Sequence, residues 1–175
     1  MGPRPLLSGP WEMVGEGGKS GQQSAVFQGV YPARLDDKGR VPIPSQFRAN
    51  LEADASLMIT IFGVAGSRCL QAYTLPAWEQ FVSDFMASTD PFSAKRQHFQ
   101  AVYIGSAAHC QLDRQGRVLI PQTLRGLAEL EHEVQIVGVG SNLQIFSKDG
   151  YARVVTRFLE KFADPDGDGF GGMSQ

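Results

Sequence analysis

Two spacings of apolar positions alternate along the chain and divide it into strands and helices. Gly29 to Arg34 and Val41 to Ile43 are short, β-prone stretches, joined by a polar loop from Asp36 to Arg40. Pro32 places the first of them at a sheet edge or a bulge, since it cannot donate to a ladder. Pro44 and Ser45 open a brief helix expected to run through Leu51. Leu57 to Phe62 and Cys69 to Tyr73 are apolar runs with a Gly-containing link, which reads as a hairpin. After Thr74 and Pro76 the period lengthens: Trp78, Phe81, Val82, Phe85 and Met86 share one helical face, predicted to cover that hairpin. Asp90 and Pro91 make an N-cap and first-turn pair for a second helix, carrying Phe92, Phe99, Val102 and Tyr103 toward Gly105.

The same order then returns. Strands are expected at Ala108 to Leu112 and Val118 to Ile120, a short helix from Pro121, strands at Glu133 to Gly138 and Leu143 to Phe146, and a helix capped by Ser147. Its stripe is Tyr151, Val154, Val155, Phe158, Leu159 and Phe162, and these stripes are expected to be core. The pattern is a β-β-α-β-β-α unit used twice. Residue identity bears this out: Leu35 to Arg48 returns 77 residues later as Leu112 to Arg125, with eight of fourteen positions identical. Chance would give about one. A unit copied within a chain implies two similar substructures that cover one another's apolar faces. The fold class is α+β. The division reads as an N-terminal extension over 1–25, a first unit over 26–76, a helical connector over 77–106, a second unit over 107–150, a C-terminal helix over 151–163 and an acidic tail over 164–175. The Gly-rich extension and the tail are expected to be flexible.

At 175 residues with 42% hydrophobic and 19% charged positions, the chain can bury a core of ordinary size. Its apolar runs are short and broken by charge, so no membrane span is expected, and residues 1–24 lack the pattern of a secretory signal. A cytoplasmic location follows, in which Cys69 and Cys110 are best read as small buried hydrophobes. A formal net charge of −2 argues at first against nucleic acid as a partner. The average hides a local arrangement. Setting aside Asp164, Asp166 and Asp168 of the tail changes it to +1, and basic residues gather at the duplicated loops: Arg34, Lys38, Arg40 and Arg48, then Arg114, Arg117 and Arg125.

Each loop carries Asp, three residues, then Arg: Asp36 with Arg40, and Asp113 with Arg117. The carboxylate can accept backbone N–H groups or pair with the arginine and so shape the turn, and Gly39 and its twin Gly116 suit a left-handed backbone there. A planar guanidinium can bind phosphate, or the O6 and N7 acceptors of guanine, through two parallel bonds. Lys38 and Arg114 add charge beside it, and Gln115 can read a base or bond a phosphate. The candidate DNA-binding set is therefore Lys38, Arg40, Arg114, Gln115 and Arg117, with Asp36, Gly39, Asp113 and Gly116 structuring the loops.

These segments, with Val-Phe-Gln-Gly from Val26, Tyr-Thr-Leu-Pro-Ala-Trp-Glu from Tyr73 and Cys-Gln-Leu-Asp-Arg-Gln-Gly-Arg from Cys110, closely resemble the MraZ family over roughly residues 26–161. The resemblance implies two SpoVT-AbrB type units forming a pseudo-symmetric small β-barrel with packed helices, assembled into a ring. It implies a transcriptional regulator that binds repeated promoter sites on double-stranded DNA upstream of the bacterial division and cell-wall gene cluster, located with the nucleoid. The family's DNA-contacting loop falls on Lys38 and Arg40, with Arg117 in the second copy. Where the family begins close to Phe27, this chain carries residues 1–25 in addition. Gln115 stands where the first copy has Lys38, so the first loop is expected to matter more.

Other readings fit less well. Two copies each donating one Asp resemble the shared-proton pair of an aspartic protease, but the following residues differ, and an arginine four places on would keep each carboxylate ionised. No enzymatic activity, cofactor or small-molecule substrate is expected. His98, His109 and His132 are scattered without zinc spacing, and Asp164 to Gly169 matches half a calcium loop whose twelfth position is Gln175, so no metal is expected. The remaining alternative is a ring-forming structural or protein-interaction scaffold without DNA specificity.

Overall fold

The computed structural model describes residues 26–51, 55–88, 90 and 92–163. The extension over 1–25 and the tail over 164–175, with its partial calcium motif, lie outside the described residues. Chain order is β1 (Phe27–Arg34), β2 (Arg40–Pro42), α1 (Ser45–Arg48), β3 (Ser56–Val64), β4 (Ser67–Thr74), α2 (Leu75–Ser88) and α3 (Ala94–Phe99), which runs into a π-helical turn (Gln100–Ile104). It continues with β5 (Ala108–Gln111), β6 (Arg117–Leu119), α4 (Gln122–Leu127), β7 (Glu133–Gly140), β8 (Asn142–Ser147) and α5 (Lys148–Ala163). The fold is α+β, with the β-β-α-β-β-α order used twice.

The two copies are interleaved rather than set side by side. One antiparallel sheet has the order β1-β7-β8-β4-β3-β5, and β2 pairs with β6 in a separate two-stranded ribbon. The first strand of each copy thus completes the hairpin of the other: β1 lies on β7, and β5 on β3. An internal two-fold axis relates the copies. In the ribbon Val41 faces its equivalent Val118, and where β4 meets β8 Gln71 faces its equivalent Gln144. Pro32 lies on β1 at the edge of the sheet, where its missing N–H breaks no ladder.

The sheet is open, a small difference from the small β-barrel implied by the resemblance. Closure would require the ribbon to continue the ladders of β1 and β5. Each loop instead reverses within a few residues: Leu112 makes a single bridge to Val118, and Asp36 N–H bonds only Arg40 O, at 2.9 Å. The ribbon and the short helices α1 and α4 share one buried core with the sheet. Val41 and Val118, Ile43 and Ile120, Phe47 and Leu124, Leu57 and Val134, and Ile59 and Ile136 are buried equivalents within one core. Each such side chain contributes about 1.5–3 kcal/mol on burial. Cys69 and Cys110 are buried, and burial pushes their thiols up to about 12 and about 11, so both stay protonated.

A second cluster, around Tyr73, Trp78 and Tyr103, fixes α2 and the π turn against the β3–β4 hairpin, with Phe62, Phe81 and Phe99 packed on it. Its polar tips are paired: the Tyr73 and Tyr103 hydroxyls both donate to Gln71 Oε1, and Thr60 Oγ1 donates to the Tyr103 carbonyl. Three sequence expectations need correction. Helix α1 ends at Arg48, because Asn50 and Leu51 N–H tighten to carbonyls three residues back. Helix α3 begins at Ala94, because Asp90 Oδ1 accepts Phe92 N–H at 3.0 Å in a turn before the helix, leaving Phe92 exposed; Pro91 lies outside the described residues. Along α5, which packs on β4, β7 and β8, Tyr151 and Val154 are half-buried, but Val155, Phe158 and Leu159 are exposed. Ser147 Oγ accepts Gly150 N–H at 3.2 Å and caps this helix.

Candidate nucleic-acid interface

Both loops are built on the same bonds. Asp36 Oδ1 accepts the backbone N–H of Lys38 at 3.0 Å and of Arg40 at 2.9 Å, while its Oδ2 accepts Arg40 Nε–H at 2.7 Å. Asp113 Oδ1 accepts the N–H of Gln115 at 2.9 Å and of Arg117 at 3.0 Å, and its Oδ2 takes Arg117 Nε at 2.9 Å and Nη2 at 2.8 Å. Gly39 N–H and Gly116 N–H each donate to the carbonyl of their loop's Asp, at 2.8 Å. Both glycines have positive φ, +82° and +72°, a region an L side chain enters only with strain. An aspartate is suited to this position because its two oxygens can serve backbone and guanidinium at once.

The same bonds hold both carboxyls below the ordinary value of 3.8. The Arg40 backbone N–H is the largest cause at Asp36, and the Arg117 backbone N–H followed by its guanidinium at Asp113. Each carboxylate is ionised at neutral pH and anchors its arginine by the Nε edge, which fixes the direction of the rest of the guanidinium. The two loops meet: Arg117 Nη1 lies 3.8 Å from Asp36 Oδ2.

Strand alternation decides what faces outward. In the β2–β6 ribbon Val41 and Val118 point into the core, so Arg40, Pro42, Arg117 and Leu119 lie on the outer face. Arg40 and Arg117 are half-buried by their aspartates, whereas Leu119 and Pro42 are exposed. Lys38, Arg114 and Gln115 are exposed at the loop tips, and among the described residues neither Lys38 nor Arg114 forms an ion pair. The five candidate residues thus converge on one face made of a ribbon and its two flanking turns.

Residue reasoning missed the arrangement of Arg48 and Arg125, which it counted only as local charge. Arg48 Nε donates to Ile43 O at 3.0 Å and Arg125 Nε to Ile120 O at 3.1 Å, and each side chain lies over the glycine of the opposite loop. The repeated final Arg of the fourteen-residue motif was the available signal; the pairing across copies was not readable from it.

A protein-family model described as "MraZ protein, putative antitoxin-like" matches residues 26–100 and 103–171. The chain belongs to the MraZ family. Similar MraZ relatives include a protein of Desulfosudis oleivorans (37% identical over 123 residues, 70% of this chain and 81% of that one) and one of Coxiella burnetii strain Dugway (34%, 70% and 80%). A third, from Legionella pneumophila strain Corby, is 32% identical over 124 residues, covering 71% and 81%. All three are named "Transcriptional regulator MraZ". A solution structure from Pyrococcus horikoshii overlays with a TM-score of 0.34 at 13% identity, covering 66% of this chain and 92% of that one. The two stretches matched by the MraZ model contain both loops whole.

Proposed function

We propose that the protein is a sequence-specific DNA-binding transcriptional regulator whose basic loops grip repeated promoter elements of the bacterial division and cell-wall gene cluster, with several copies displayed on a ring. The observation that carries this reading is the outer face of the β2–β6 ribbon, with Arg40 and Arg117 held by Nε and flanked by Lys38, Arg114 and Gln115. A two-stranded ribbon fits the major groove, and a guanidinium anchored along one edge keeps donors for guanine O6 and N7 or for phosphate. The names of the relatives favour the same role. Asp36, Gly39, Asp113 and Gly116 then act by shaping the loops, not by touching DNA.

A gel-shift titration with duplex DNA from upstream of the protein's own gene tests the reading. We expect a specific complex that weakens steeply with salt, as phosphate neutralisation requires. Retardation equal to that of random duplex at every salt concentration would leave only a nonspecific or scaffold role.

A further inference from the structure

We propose that Arg48 and Arg125 are positioning residues acting across the internal two-fold axis, each fixing the loop of the other copy. The proposal rests on the reading that these loops contact DNA. A Cβ on Gly39 would fall 2.6 Å from Arg125 Cζ, and one on Gly116 would fall 2.5 Å from Arg48 Cδ. The glycines therefore suit these positions twice, by the sign of φ and by the room they leave for the Nε end of the arginine that lies on them.

The far side of each glycine is held as well. Ile43 N–H donates to Gly116 O at 2.9 Å, and Ile120 N–H donates to Gly39 O at 3.0 Å. Arg48 Nε in turn bonds Ile43 O, and Arg125 Nε bonds Ile120 O. An arginine and an isoleucine of one copy thus enclose the glycine of the other, and the arrangement occurs in both directions. Neither Arg48 nor Arg125 has a carboxylate within ion-pair distance among the described residues. What these positions use is the flat, Nε-anchored guanidinium rather than charge alone. Arg125 therefore governs the tip that presents Lys38, and Arg48 the tip that presents Arg114 and Gln115.

Backbone amide exchange in the free full-length protein tests this without DNA. In Arg125→Lys, which keeps the charge but lacks Nε and the planar group, exchange over residues 37–40 should quicken about tenfold, roughly what one lost hydrogen bond permits. Residues 114–117 should stay at the wild-type rate. Arg48→Lys should give the mirror pattern. Quickening confined to the same copy as the substitution, or none in either loop, overturns the proposal. Binding to promoter duplex supplies the second readout: Arg125→Lys should lose about tenfold in affinity. Its effect should be non-additive with Lys38→Ala but additive with Arg114→Ala. Wild-type affinity in Arg125→Lys would identify the residue as a simple cation and sink the proposal. A wild-type protein that ignores the duplex, with the crossed exchange pattern intact, would refute the DNA reading and leave the positioning role standing.

Discussion

At the residue scale the decisive fact is that Arg40 and Arg117 are oriented before any ligand arrives, because their Nε atoms are held by Asp36 and Asp113. Ordering a free arginine on binding would cost about 0.5–1.5 kcal/mol per side chain. Arg40→Ala should weaken promoter binding at least about tenfold in a gel-shift titration, by the loss of one charged bidentate contact, with oligomeric size unchanged. Unaltered affinity would remove Arg40 from the interface. The aspartates add a pH dependence. Their folded pKa lies below 3.8, so the stabilisation they give is present above that value and is lost only as pH falls through the depressed folded value. Side-chain carboxyl shifts followed by NMR should place both midpoints below 3.8, with the loop amides of Lys38, Arg40, Gln115 and Arg117 unchanged from neutral pH down to that range. A midpoint at or above 3.8 would mean that the loops are not shaped by these carboxylates in solution.

At the scale of elements the stability of α2 and the π turn depends on the aromatic cluster. Trp78→Ala should cost roughly 3 kcal/mol or more and lower the melting temperature by on the order of 10 °C. Calorimetry showing a shift below the error would mean that the cluster is dispensable. Much of this layer was legible in the sequence, since β-prone apolar runs marked the strands and the 3.6-residue period marked α2 and α5. What alternation cannot give is a partner. It fixes which face Val134 and Ile136 present, not that β7 pairs with β1 of the other copy. The short lengths of β2 and β6 concealed the separate ribbon, and with it the open sheet. The Asp90 turn was not legible, because a capping residue and an isolated Asx turn share one sequence signature. The loops themselves were legible because their chemistry is local, an Asp bonding residues two and four places on. The reach of Arg125 onto Gly39 was not, because 86 residues separate the two.

At the scale of the whole molecule one pair of loops offers few phosphate contacts, so the proposed ring matters through effective concentration. A duplex carrying several promoter repeats should bind about a hundredfold or more tighter than one carrying a single repeat, and light scattering of the free protein should report a multimer. Equal affinity for single and repeated sites, or a monomer in solution, would remove the ring from the account. The interleaving of β1 with β7 has a further consequence for how the protein comes into being. Phe27 pairs with Gly140, so β1, the earliest strand among the described residues, finds its neighbour only after more than a hundred further residues have been synthesised. Until then its ladder is unfilled, and a nascent chain halted after β6 would hold an orphaned edge open to foreign strands.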